Sequence, residues 1–86
     1  MYRVIYSKEA KRMLSKIPRK TALLIQAKIE AIATQPYAPH PNASKLQGRD
    51  GYRLRVGDWR VIYEVVNQQL IIHVVRIAAR GSVYER

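Results

Sequence analysis

The chain has 86 residues, of which 48% are hydrophobic and 26% charged; that suits one domain over residues 1–86 with one modest core, and excludes two independent cores or a disordered segment. It contains no cysteine, which excludes a disulfide framework, thiolate chemistry and a zinc ribbon, and no His, Asp and Glu group has metal-ligand spacing, so neither metal nor cofactor is expected. Sixteen Lys and Arg against six Asp and Glu leave a net charge of +10, the electrostatic footprint of a protein whose partner is a polyanion, nucleic acid first.

Tyr2 to Tyr6 (YRVIY) is β-branched and aromatic, and reads as a short strand. Ser7 is an N-cap with Glu9 in the first turn, and Ala10, Met13, Leu14 and Ile17 recur at helical spacing. Pro18 interrupts; a second helix follows from Arg19 to Thr34, with Ala22, Ile25, Ile29 and Ile32 on one stripe. The N-terminal segment has no apolar run of signal-peptide length, and Leu70 to Ala79 is too short and too charged to span a bilayer, so no membrane contact and a cytoplasmic location are expected. The lysine-rich half, residues 1–28, reads as a solvated charged face.

QPYAPHPNAS reads as an extended loop, Gly48 to Gly51 as a turn, and the pattern then becomes strand-like. GYRLRV, the turn Gly57-Asp58, WRVIYEVV, the turn Asn67-Gln68 and LIIHVVRI make a three-stranded antiparallel meander. The last strand is apolar at nearly every position, which predicts burial on both faces and an interior place, with the first strand beside it. The expected fold is α+β, in the order β-α-α-β-β-β, with the N-terminal helical hairpin packed on one face of the sheet.

With Gly57-Asp58 as a two-residue loop, Arg55 stands opposite Arg60 and Arg53 opposite Ile62. One face then carries Tyr52, Leu54, Val56, Trp59, Val61 and Tyr63, and the other Arg53, Arg55 and Arg60. Like charges directly opposite each other destabilise a sheet. A bound phosphate reverses the sign, because each guanidinium gives charge-assisted bidentate hydrogen bonds. A two-residue loop at Asn67-Gln68 sets His73 opposite Ile62, beside the arginines, and Val75 opposite Arg60; a three-residue loop turns His73 away. His40 reads as plain surface.

The motifs KLQG (45–48), YRLRVGDWRVIYEV (52–65), VVRI (74–77) and RGSVY (80–84), after the opening YRVIYSKEAKRML, resemble the RelE/ParE superfamily of bacterial toxins from type II toxin-antitoxin systems. RelE-type members are ribosome-dependent endoribonucleases, or mRNA interferases, that cut mRNA in the A site and stop translation and growth. The resemblance implies a RelE-like fold, catalytic roles for Arg55, Arg60, Arg80 and the C-terminal Tyr84, and RNA or phosphate binding by Lys45, Arg49, Arg53, Arg55 and Arg60. It also implies a cognate acidic antitoxin as partner, mRNA on the ribosome as substrate, and an operator-DNA-binding toxin-antitoxin complex. The chain departs from the RelE pattern by carrying arginine where a lysine is usual in the first basic strand, and by lacking a His or Lys before Arg80. Guanidinium is a poor base, which leaves His73 as the possible base. The alternatives are a ParE-like toxin that inhibits DNA gyrase without cutting RNA, or a catalytically weak antitoxin-binding or co-repressor module.

Overall fold

A computed structural model describes residues 1–80. Its elements are β1 (Arg3–Tyr6), α1 (Lys8–Lys16), α2 (Arg19–Thr34), β2 (Ala43–Lys45), β3 (Tyr52–Val56), β4 (Trp59–Val66) and β5 (Ile71–Ala79), with a short 3-10 turn at Asn67–Gln69 before β5. The helical hairpin and sheet make an α+β fold, as the pattern of periodicities predicts. None of the helices among the described residues is long and apolar enough to cross a membrane.

β1 passes into α1 through one residue. Ser7 keeps an extended backbone, and its hydroxyl accepts the Ala10 N–H at 3.0 Å, satisfying an N–H that the first helical turn leaves without a partner. The same hydroxyl donates to the Val75 carbonyl at 2.7 Å, and the Ser7 N–H donates to the Val74 carbonyl at 2.9 Å. One serine therefore starts the helix and fastens it to the far end of the chain. Pro18 separates α1 from α2 and caps the second helix without a side-chain hydrogen bond.

The five strands lie in the order β1-β5-β4-β3-β2, with β1 parallel to β5 and the other pairs antiparallel. The helices cover one face. Ala10, Ile17, Ala22, Ile25, Ile29, Ile32 and Ala33 meet Leu54, Val56, Val61, Tyr63, Ile72, Val74 and Ile77 there in one buried cluster. Burying an aliphatic side chain of this size contributes about 1.5–3 kcal/mol, so this layer supplies most of the stability. On the opposite face Ile62 and Ala78 form a small buried apolar cluster, with Leu46 and Val75 against them.

Three differences from the sequence reading have physical causes. β2 lies in what reads as loop: three residues, Ala-Ser-Lys, are too few to show a period, yet they pair with Leu54, Arg53 and Tyr52 and close the sheet edge. β5 is an interior strand, but only Ile72, Val74, Ile77 and Ala78 are fully buried; the helices cover one side of it and the other side is half open. The β4–β5 connection spans residues 67–70 rather than two residues. Asn67 Oδ1 accepts the hydroxyls of Tyr2 at 2.8 Å and Tyr37 at 3.0 Å, and Leu70 takes a left-handed φ of 55° to re-enter the sheet. That longer connection moves the register of every residue after it.

Candidate functional site: an arginine-lined cleft

Gly57 adopts φ +56°, the left-handed conformation that a two-residue hairpin loop needs at its first position, where nothing blocks the space but an L side chain is strained. The loop fixes the register as the sequence reading has it: Val56 with Trp59, Arg55 with Arg60, Leu54 with Val61, Arg53 with Ile62 and Tyr52 with Tyr63. The apolar members of this alternation are held by the helices, so the arginines are driven to the other face. There β2 adds a wall. Asn42, Ala43, Ser44, Arg53, Arg55 and Arg60 line one cleft of about 200 Å³, room for several waters at about 30 Å³ each.

The opposed arginines are not equivalent. Arg60 is buried, at 8% exposure, and its Nη1 donates to the Gly57 carbonyl at 2.9 Å and the Trp59 carbonyl at 3.0 Å. Its charge braces the turn that creates the register. Arg55 is exposed; its Nη2 donates to Asn42 Oδ1 at 3.0 Å, and its backbone N–H to the Asn42 carbonyl at 2.9 Å. Among the described residues, the acceptors of both guanidinium groups are neutral oxygens. Hydrogen bonds to neutral oxygens orient a cation without neutralising it, so these two guanidinium groups keep a strong demand for an anion. Asn42 and Ser44 went unnoticed in the sequence; the one cue was an asparagine after a proline, a residue that tolerates the left-handed φ of 66° it adopts there.

Arg80 arrives from β5. Ala79 pairs with Trp59, and the Arg80 N–H donates to the Asp58 carbonyl at 2.7 Å, which ties the end of the last strand to the same turn that Arg60 braces. An exposed Arg80 is thereby brought to the mouth of the hairpin. Four of the arginines singled out in the sequence, Arg53, Arg55, Arg60 and Arg80, thus gather at the β3–β4 hairpin.

Other candidates are placed elsewhere. Lys45 pairs with Tyr52, whose face is the helix-side one, and borders a pocket of about 160 Å³ with Pro36, Tyr37, His40 and Tyr63, outside the arginine cleft. Arg49 is exposed in the loop between β2 and β3. His40 is held by a hydrogen bond from its Nε2 to the Gln35 carbonyl at 2.7 Å, at the end of α2. Tyr84 lies outside the described residues.

His73 does not stand beside the arginine pair, where a two-residue loop would put it. It stands opposite Glu64, not Ile62, because the connection at 67–70 is longer than two residues, and a bulge at Ile62/Tyr63 then puts Ala78, not Val75, opposite Arg60. His73 Nδ1 lies 4.0 Å from Glu64 Oε1. Four residues of strand separate Glu64 from Arg60, about 13 Å at the usual rise, so the imidazole is removed from the Arg55–Arg60 pair. Arg76 runs instead to α1, with Nη1 4.0 Å from Glu9 Oε2.

Two tyrosines back the site. The rings of Tyr52 and Tyr63 stack 5.3 Å apart at 13°. Burial first, and Tyr52 second, push the Tyr63 phenol up to about 12, so it stays protonated at neutral pH and serves packing rather than proton transfer. Tyr6 is likewise raised to about 12 by burial and then by Glu30.

Comparison with known proteins places this geometry in context. The family model for the ParE toxin of type II toxin-antitoxin systems, parDE, matches residues 4–84. Among solved structures, the archaeal RelE-RelB complex from Pyrococcus horikoshii OT3 superposes with a TM-score of 0.80 at 28% identity, over 93% of this chain and 96% of that one. The intact E. coli RelBE toxin-antitoxin complex gives 0.79 at 18% identity, over 94% and 98%. The YoeB/ParE toxin from Agrobacterium tumefaciens gives 0.77 at 13%, over 91% and 98%; at these last two identities the likeness is one of fold. No curated protein sequence matches the chain.

Proposed function

The chain belongs to the ParE toxin family of type II toxin-antitoxin systems, and we propose that within it this protein is a ribosome-dependent endoribonuclease that cuts mRNA and arrests translation. The observation that carries the reading is the cleft itself, in which Arg53, Arg55 and Arg60 converge on one space beside Asn42 and Ser44. Three guanidinium groups around a cavity of this size match a backbone phosphate better than they match one another.

In the proposed reaction the 2′-hydroxyl oxygen attacks the adjacent phosphorus. The P–O2′ bond forms as the P–O5′ bond breaks, leaving a 2′,3′-cyclic phosphate and a 5′-hydroxyl. The pentacoordinate phosphate gains negative charge, and the preorganised donors of Arg55 and Arg60 stabilise it where water is partly excluded. Arg60 is held in place by the turn carbonyls before any substrate arrives, so no reorganisation is needed. Arg80 and Tyr84 attend the leaving 5′-oxygen, which must receive a proton. Arg53 grips the phosphate, and Lys45 and Arg49 reach flanking RNA or the ribosome. His73, removed from the Arg55–Arg60 pair, takes the 2′-hydroxyl proton only through water. A cognate acidic antitoxin silences the site by filling the cleft with carboxylates, and the joint complex binds operator DNA in the cytoplasm; the archaeal relative is likewise a RelE-RelB complex.

A second reading has its own support. The matching family model is that of ParE, and none of the described residues lining the cleft is a base, which fits inhibition of DNA gyrase without hydrolysis. One experiment separates the two. Purified protein added to translating ribosomes yields cut mRNA under the first reading, with cutting lost in Arg55→Ala and Arg80→Ala. Intact mRNA together with accumulating gyrase-linked DNA breaks establishes the second and sinks the first.

A further inference from the structure

Arg60 is held by the carbonyls of its own turn, but Arg55 has no comparable support on its strand. Its side chain is exposed, and among the described residues the acceptor its guanidinium reaches is Asn42 Oδ1, at 3.0 Å. A guanidinium only donates, so the amide atom that faces it is the oxygen, and the NH2 group is turned away. The Arg55 backbone N–H donates to the carbonyl of the same asparagine at 2.9 Å. Asn42 therefore grips Arg55 at both ends, main chain and side-chain tip, and restrains the long flexible stem between them.

The grip is itself anchored. The Ala43 N–H donates to the His40 carbonyl at 3.2 Å, which closes a four-residue turn over His40, Pro41, Asn42 and Ala43. Proline stands second in that turn and Asn42, with φ 66°, stands third. This is the arrangement of a type II turn, which calls for glycine or asparagine in the third place. His40, in the first place, is bonded through Nε2 to the Gln35 carbonyl at 2.7 Å, and β2 begins directly after Asn42. A fixed path thus runs from the end of α2 to the tip of Arg55.

The chemistry of the acceptor decides what the grip is for. Aspartate also tolerates a left-handed backbone, and its carboxylate would hold Arg55 more tightly. It would also cancel the charge that a phosphate needs. Glycine would suit the turn and leave the guanidinium loose. Of the three residue types that tolerate this backbone, asparagine alone holds the guanidinium and stays neutral. Aspartate is the better choice for stability, and asparagine the better one for an anion site.

We propose that Asn42 is the positioning residue for Arg55: it fixes the guanidinium over the cleft in advance of the ligand and, being uncharged, leaves the full positive charge for a backbone phosphate. The proposal rests on phosphate binding in the cleft but not on cleavage. The test measures binding of a short single-stranded RNA of mixed sequence to the full chain across a salt series. Asn42→Gly, which suits the turn and keeps the backbone carbonyl, is expected to weaken binding about 2- to 10-fold, the cost of ordering one long side chain on association. The slope of log Kobs against log salt stays unchanged, because no charge is lost. In an Arg55→Ala background the same substitution is expected to have no effect. Asn42→Asp is expected to reduce the slope by about 0.7, one phosphate contact on a single strand, with a melting temperature equal to or above that of the wild type.

Wild-type affinity in Asn42→Gly overturns the proposal, as does an unchanged slope in Asn42→Asp. An equal loss from Asn42→Gly with and without Arg55 also overturns it, and makes Asn42 an RNA contact in its own right or a structural residue. Wild-type protein that binds RNA yet leaves mRNA intact on the ribosome removes the ribonuclease reading while the proposal stands. Wild-type protein without salt-dependent RNA binding removes the phosphate site and the proposal with it.

Discussion

The two faces of the β3–β4 hairpin are built from one alternation and come to opposite ends. On one face Leu54, Val56, Val61 and Tyr63 are closed over by the helices; on the other Arg53, Arg55 and Arg60 surround an open cleft. The filled face decides the geometry of the unfilled one. Because a slip of one residue would turn the leucine and valines to solvent, the core pins the register, and the pinned register forces Arg55 and Arg60 into opposition. Repulsion that a surface would ordinarily relieve by sliding is held by the burial behind it.

That division is open to attack from either side. The largest effect is expected from the filled face: Ile29→Ala, at a fully buried position, lowers stability by about 2–5 kcal/mol, read by urea or thermal unfolding, while the folded fraction keeps its RNA affinity. On the open face Arg55→Ala reduces cleavage by about 10²- to 10³-fold with the melting temperature nearly unchanged. Arg60→Ala is the hybrid. It loses activity to a similar degree and also roughly 1–3 kcal/mol of stability, because the Gly57 and Trp59 carbonyls lose their charged donor. Equal melting temperatures for the two arginine variants would erase the distinction drawn between them.

The filled face also carries a group that titrates at alkaline pH. Tyr63 carries a phenol raised to about 12 against about 10 in an unfolded chain. A raised folded value means that its contribution is complete below pH 10 and is lost as pH climbs towards 12, on the order of 2 kcal/mol. Tyr63→Phe should flatten stability over that window; an unaltered alkaline profile would show that the group does not matter there. The smallest effect belongs to the joint between the faces and the helices. Ser7→Ala removes the cap of α1 and the bond to Val75, for about 1 kcal/mol, measured as a shift in melting temperature with cleavage unchanged.

Much of this was legible in the residues. A glycine-aspartate pair between two alternating runs set the β3–β4 register, and hence the opposed arginines, because a two-residue loop allows one pairing. The helices followed from periodicity and from Ser7 and Pro18. What stayed hidden depended on contacts between distant segments. Asn67 is held by Tyr2 and Tyr37, and no local pattern shows that two tyrosines far away lengthen a turn; His73 was misplaced for that reason. β2 was too short to carry a period, and the unequal burial of Arg55 and Arg60 arises from the turn carbonyls that one of them can reach.

The pairing of β1 with β5 has a consequence for time rather than shape. Arg3 to Tyr6 lies alongside Ile71 to Val74, joined in parallel, so the first strand must wait for the last described strand before it has a neighbour. The β3–β4 hairpin closes locally on a scale of microseconds, but the long loop that brings β1 home makes the final step of assembly the slow one. During synthesis the arginines are therefore in register before the sheet is complete, and the charged face of the hairpin exists ahead of the finished fold.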